Sequence, residues 1–316
     1  MCTVCGCGEQ ATSPPLTLDF GKGPAGAHLP GVSESRTLTL EKNILGANEA
    51  IAQANRAHFK AHQIRALNLL SSPGSGKTTL LCRTLEELQK ADPGLSLSVI
   101  EGDQQTRMDA DRIAETGVEV VQVNTGKGCH LDAQMVANAF THLHHHHHDA
   151  ASALSAPKAE VKPLGLLSEC AFTPKTSRQI LFVENVGNLV CPALWDLGES
   201  AKIVILSVTE GEDKPLKYPD MFQVADLLLI NKIDLLPHVD FDTNLAIANA
   251  RKIKPGLNAL SLSSLTGEGF PQWIDWLLER ETTATEGRAD RMAIEKRIEA
   301  LEAELRKAQS ALIALG

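Results

Sequence analysis

The stretch "LNLLSSPGSGKTTLL" at residues 67–81 constrains the fold more than any other part of the chain. An apolar run stops at a turn holding Pro73, Gly74 and Gly76, and leucines resume directly after Lys77, Thr78 and Thr79. Strand, glycine-rich turn and helix start, in that order, make a phosphate-binding loop. Successive backbone N–H groups of the turn and the helix N-terminus form a concave site for anionic oxygens. Lys77 is placed to reach the β- and γ-phosphates of a nucleotide and the Thr78 hydroxyl to bind Mg²⁺, with Gly74, Ser75, Gly76 and Thr79 completing the cradle. The strict pattern G-x-x-x-x-G-K-[ST] puts glycine at position 71, where this chain has Ser71. Gly74 and Gly76 keep the tight part of the turn.

Such a loop belongs at the end of a strand in a parallel sheet, and the chain supplies more strands of that kind. Short apolar runs alternate with helical stretches: "RALNLLSS", "LSLSVIEGD", "VEVVQVNTG", "QILFVENVG", "AKIVILSVTEG", "ADLLLINKID" and "LNALSLSS". The alternation predicts an α/β fold, a mostly parallel sheet with helices on both faces, whose strands are buried on both sides. Apolar spacing predicts an amphipathic helix from Asn48 to His62. Residues 1–40 read as a cysteine motif on a flexible Gly/Pro/Ser/Thr-rich tether, 41–282 as the phosphate-loop domain, and 283–316 as a helix. Within the domain, residues 141–178 begin with "THLHHHHHDA" and read as an insertion. Ile294, Ile298, Leu301, Leu305, Ala308, Leu312 and Leu315 recur at spacings of four and three, which suits either a short coiled-coil seam or a single docked helix.

The base that follows the phosphates is suggested by "LLLINKIDLL", which places Asn231, Lys232 and Asp234 directly after a strand. An Asp carboxylate can accept from the N1–H and exocyclic amine of guanine, a donor pair that adenine lacks, so the wrong base leaves polar groups unpaired. Downstream, "SLSSLTGEG" offers Ser263 and Ser264 as a second base-contacting loop. Between these motifs stand strand-end carboxylates: Glu101 and Asp103 in "SVIEGDQQT", and Glu184 in the E-x-x-G of "LFVENVGN". Mg²⁺ prefers hard oxygen ligands and keeps several waters, so Asp103 and Glu184 are candidates to hold it or to orient an attacking water.

Three thiols, Cys2, Cys5 and Cys7, lie within the first seven residues. C-x-x-C-G-C gathers soft donors that suit square-planar Ni(II) with the terminal amine, and also Zn²⁺ or Cu(I). A second candidate metal site combines Cys129 and His130 in "TGKGCHLDA" with Cys191 in "GNLVCPA". Cys191 follows the loop expected to sense the γ-phosphate, so hydrolysis could reposition a ligand there. The run His144–His148 is a third element, read either as low-specificity metal buffering or as a solvated repeat. Cys82, in the helix after the phosphate loop, reads as core. A formal net charge of −9 argues against a nucleic-acid partner. Apolar runs all fall short of a membrane span, no signal peptide is evident, and an odd count of seven cysteines suits thiols or metal ligands in a reducing, cytoplasmic compartment.

Together "MCTVCGCG", "SSPGSGKTTLL", "EGDQQT", "VNTGKGCHLDAQMV", "FVENVGNLVCPA", "SVTEGEDKPLKYP" and "NKIDLLP" resemble the hydrogenase maturation nickel-insertion GTPases, the HypB family of SIMIBI-class P-loop proteins. The resemblance implies a GTPase that helps deliver Ni²⁺ to the [NiFe] hydrogenase large-subunit precursor, dimerises with GTP and works with a zinc-containing co-chaperone. It also implies a tight nickel site at the N-terminal cysteines and Mg-GTP handling by Lys77, Thr78, Asp103 and Glu184, with Zn²⁺ possible at Cys129, His130 and Cys191. Ser72 stands where related ATPases often carry an extra lysine, which favours GTP. The rival readings are a nickel reservoir whose oligomeric state follows the nucleotide, and a small-molecule kinase. The His run and the heptad helix lie outside the resemblance.

Overall fold

A computed structural model describes residues 34–103, 107–125, 130–145 and 178–278, with side chains from 45 to 143 and from 178 onward. Seven parallel strands form one sheet in the order β3-β2-β4-β1-β5-β6-β7. They are β1 (Ile64–Ser71), β2 (Ser96–Asp103), β3 (Glu119–Asn124), β4 (Gln179–Glu184), β5 (Ala201–Ser207), β6 (Leu227–Asn231) and β7 (Asn258–Ser261). Each coincides with one of the apolar runs. The expectation of burial on both faces holds for β1, β4 and β6 along their whole length, but not for β3 and β7. Those two are edge strands, so one flank of each lacks a neighbour to exclude water.

Helices cover the sheet because the strands alternate their side chains between two faces. On one face, α1 (Glu34–Ala61) and α4 (Ala133–His145) pack through Phe59, Val136, Phe140 and Leu143 onto Ile100, Leu181 and Val183. The intervening positions, such as Val99 and Phe182, turn to the opposite face, where α2 (Lys77–Ala91) and α3 (Met108–Ala114) lie against each other. Short helices α5 (Lys214–Lys217) and α6 (Pro219–Val224), with α7 (Thr243–Ile253), close the β5–β6 end through Met221, Phe222, Ala246 and Ala250. Asp242 caps α7, accepting from the Asn244 and Leu245 amides. The first compact unit ends at Phe270; within the second, residues 271–278 are helical and stack Trp273 on Trp276 at 5.4 Å.

The first helix is longer than its predicted span and begins inside the stretch read as tether. The reason is local: residues 34–45 contain neither Gly nor Pro and are rich in Glu, Leu, Lys and Arg, all good helix formers. Its second half is bolted down by two buried amides. Asn48 donates to the Asp196 carbonyl and accepts from the Ala133 amide. Asn55 donates to the carbonyls of Ala133 and Leu197 at 2.9 and 3.0 Å. Thus α1 joins the start of α4 to the turn after residue 195. Gly198, at φ +88°, permits the contact, since a Cβ there would lie 2.6 Å from the Ala52 carbonyl oxygen.

Replacing Asn55 removes both donors and strands two carbonyls in a dry place. Asn55→Ala is expected to lower stability by about 1–3 kcal/mol in urea unfolding monitored by circular dichroism. A loss below about 0.5 kcal/mol would mean that water reaches these carbonyls after all.

Candidate functional site

β1 is buried along all of its eight residues and delivers the chain into the glycine-rich turn. Gly74 and Gly76 sit at φ +76° and +88°, left-handed conformations that a side chain disfavours. The turn closes through the Ser75 amide to the Ser72 carbonyl, and α2 begins at Lys77. Ser72 donates its hydroxyl to Glu210, in the segment after β5. Gly187 of the E-x-x-G sequence approaches from the other side; a Cβ there would stand 3.1 Å from Pro73 Cα.

The C-terminal end of β6 is tied directly to this turn. Asn231, fully buried, donates to the Ser75 carbonyl at 3.0 Å. Its Oδ1 accepts from the Lys232 amide, the Ser264 amide and the Ser264 hydroxyl at 2.8, 3.1 and 2.8 Å. Lys232 takes up φ +64° and donates Nζ to the Gly74 carbonyl at 2.7 Å. Ser263 donates to Asp234 Oδ1 at 2.5 Å and accepts from the Leu265 and Thr266 amides. The predicted N-K-x-D residues, Ser263 and Ser264 therefore converge with the phosphate loop. In this arrangement the two serines orient the side chains of Asn231 and Asp234.

The acidic residues gather beneath the start of α2. Glu184 accepts from the Thr78 hydroxyl at 2.7 Å, and the Lys77 amine stands 3.8 Å from the same carboxylate oxygen while donating to the Asn185 carbonyl. Burial pushes the Glu184 carboxyl upward, with Lys77 pulling it back. Glu101, its partner in register on β2, is pushed to about 8, first by burial and then by the charge of Glu184. Asp103 closes β2, where its carbonyl accepts from the Thr125 amide at 2.9 Å. Among the described residues, Oε2 of Glu101 and Oε2 of Glu184 are buried without a hydrogen-bond partner. Orphaned carboxylate oxygens next to a threonine hydroxyl fit a hard divalent cation such as Mg²⁺. Thr79 instead accepts from Arg112 on α3 at 3.0 Å.

The second metal candidate is only partly in view. Cys2, Cys5, Cys7, Cys129 and the side chains of the His run lie outside the described residues. His130 stacks on Trp195, with ring centroids 4.4 Å apart, and burial lowers its pKa. Cys191 is buried in a 3₁₀ turn, Cys191–Leu194, that Trp195 terminates. One turn therefore carries both Cys191 and the ring that holds His130. Among the described residues no three His, Cys, Asp or Glu side chains gather as a metal site. Cys82 is half-buried rather than core: it donates to the Arg112 carbonyl at 3.7 Å, and burial raises its thiol to about 11.

Sequence reasoning gave no role to Asn185. Its Oδ1 accepts from the Leu131 amide at 3.0 Å, one residue after His130, while its own carbonyl accepts from Lys77. The signal was available: a polar residue directly after an unbroken apolar strand, adjacent to Glu184. Glu210 was equally readable as a carboxylate at the end of "AKIVILSVTEG".

The profile described as "CobW/HypB/UreG, nucleotide-binding domain" matches residues 66–261. Hydrogenase maturation factor HypB of Cupriavidus necator is 48% identical over 318 aligned positions, covering 88% of each chain. HypB of Helicobacter pylori, crystallised in complex with nickel, has a TM-score of 0.62 at 34% identity and covers 75% of this chain and 96% of that one. HypB of Archaeoglobus fulgidus has a TM-score of 0.58 at 33% identity, covering 73% and 97%.

A methyl group on Gly76 would meet Asn231 Nδ2 at 2.9 Å and would occupy a left-handed backbone. Gly76→Ala is expected to weaken nucleotide binding by about tenfold or more in titration calorimetry with GDP, from roughly 1–2 kcal/mol of backbone strain at the turn. Unchanged affinity would show that the turn is not where the phosphates bind.

Proposed function

Because the chain belongs to the HypB family of hydrogenase maturation factors, we propose that it is a GTP-hydrolysing nickel metallochaperone that helps insert Ni²⁺ into the large-subunit precursor of an [NiFe] hydrogenase. Lys77 and the backbone of residues 74–79 bind and orient the phosphates, and Asp234 reads guanine. Thr78, Glu184 and Asp103 would hold Mg²⁺, which when bound supplies positive charge to the phosphate oxygens. Cytoplasmic residence, GTP-dependent pairing of two copies and hand-over with a zinc-containing co-chaperone complete the reading, with Zn²⁺ as an alternative occupant of the Cys129, His130 and Cys191 segment. We read the phosphate-loop domain as residues 41–282; residues 283–316, expected as a helix, lie outside the described residues.

Asn185 carries the reading. A lysine amine has three N–H donors, so Lys77 can serve a phosphate oxygen and the Asn185 carbonyl together. Through its side chain Asn185 then reaches Leu131, next to His130, and six residues further on lies Cys191. A change at the terminal phosphate thus has a short covalent and hydrogen-bonded route to two of the candidate metal ligands, His130 and Cys191.

Nickel titrations of the purified protein with GDP and with a non-hydrolysable GTP analogue should give different affinities. In Asn185→Ala the ratio of those affinities should shrink toward one. Equal affinities in the unmodified protein would remove the coupling from the proposal. Lys77→Ala should abolish GTP hydrolysis and hydrogenase maturation in cells while equilibrium dialysis still finds bound nickel. Normal maturation by that variant would favour the reservoir reading.

A further inference from the structure

We propose that Glu101 acts beside Glu184 and the Thr78 hydroxyl in holding the divalent cation that accompanies the nucleotide; this rests on the Mg-dependent reading above. The sheet places the two groups together. β2 and β4 are parallel and pair Glu101 with Glu184 Cα to Cα. Parallel partners in register project from the same face. That face is known from their neighbours, because Ile100 and Val183 pack toward α1 and α4, which sends Glu101 and Glu184 to the side of α2. There Glu184 meets the Thr78 hydroxyl.

Each glutamate is 2% exposed, and each keeps one buried oxygen with no hydrogen-bond partner. Leaving a polar atom so placed costs free energy, and two in one spot call for a ligand that serves both. The charged surroundings specify its sign. Facing the pair are Asp103 from β2, Lys77 from α2, and Asp109 and Arg112 from α3. When ionised, these four carboxyl groups outnumber the two cationic side chains, and a dication offsets the difference. Sequence reasoning noticed Glu101 only as a strand-end carboxylate, with Asp103 preferred as the ligand.

Glu101→Gln keeps the shape and removes the charge. Affinity for a non-hydrolysable GTP analogue would be measured by calorimetry in excess Mg²⁺ and in EDTA, and Mn²⁺ affinity of the GDP-loaded protein by electron paramagnetic resonance. The Mg²⁺-dependent gain and the Mn²⁺ affinity should each fall about tenfold or more, while nucleotide affinity in EDTA changes less than about threefold. An unaltered gain with unaltered Mn²⁺ affinity overturns the proposal. If the unmodified protein shows no gain from Mg²⁺, the Mg-dependent reading fails and takes this proposal with it. Should Glu101→Gln not fold, Glu101→Asp carries the same measurements, since a carboxylate shortened by one methylene should also lose cation affinity.

Discussion

One buried amide sets the spacing on which the whole site depends. Asn231 has no exposed surface, and its side chain reaches three segments: the phosphate loop at Ser75, its own neighbour Lys232, and the loop after β7 at Ser264. An amide left unpaired in such a place costs about 1–3 kcal/mol, so these bonds form together or the end of the sheet rearranges. Lys232 adds a second tie to the phosphate loop through Gly74, and Ser263 fixes Asp234. The phosphate loop and the loops after β6 and β7, proposed above to read the base, are thereby held at one separation. Recognition then requires little ordering on binding, which is where preorganised sites gain affinity.

The other half of the site is built on the opposite principle. At Asn231 both polar atoms of the side chain, Nδ2 and Oδ1, are satisfied by protein. Beneath α2, Glu101 and Glu184 are buried with oxygens that the protein does not satisfy, and both carboxyls are held above their ordinary range. Buried, underpaired charge is destabilising on its own and persists only where something bound offsets it. The contrast separates a part of the site that fixes geometry from a part that waits for charge. Gly187 brings the E-x-x-G loop within contact of Pro73, so both parts touch the same turn.

The fold was legible because its signals are local. Seven apolar runs became seven strands, although only β1, β4 and β6 are buried along their whole length. The phosphate loop was legible for the same reason: Gly74 and Gly76 are needed where φ is positive. What the sequence hid were relationships set by register. Glu101 opposite Glu184 is a fact about how β2 pairs with β4, and Asn185 reaching Leu131 spans 54 positions of sequence. The serines of "SLSSLTGEG" were read as base contacts; what register adds is that Ser264 bonds Asn231 and Ser263 bonds Asp234. Helix α1 ran further toward the N-terminus than its apolar spacing indicated, because helix propensity continues where amphipathicity stops.

The link through Asn185 also limits how strongly nucleotide and metal can influence each other within one chain. A neutral hydrogen bond contributes roughly 0.5–1.5 kcal/mol net, and 1.4 kcal/mol corresponds to about a tenfold change in affinity. In the proposed coupling, the single bond from Asn185 to the Leu131 amide would transmit up to about a tenfold effect on a ligand at His130. A larger difference between GTP and GDP states has to come from moving a ligand outright or from a second copy of the chain. The turn carrying Cys191 is suited to the first route. It begins six residues after Asn185, is short and 3₁₀ in form, and ends on the Trp195 ring that stacks with His130. Displacing that turn would move Cys191 and disturb the His130–Trp195 stack together, which in the proposed function ties the two residues to one movement.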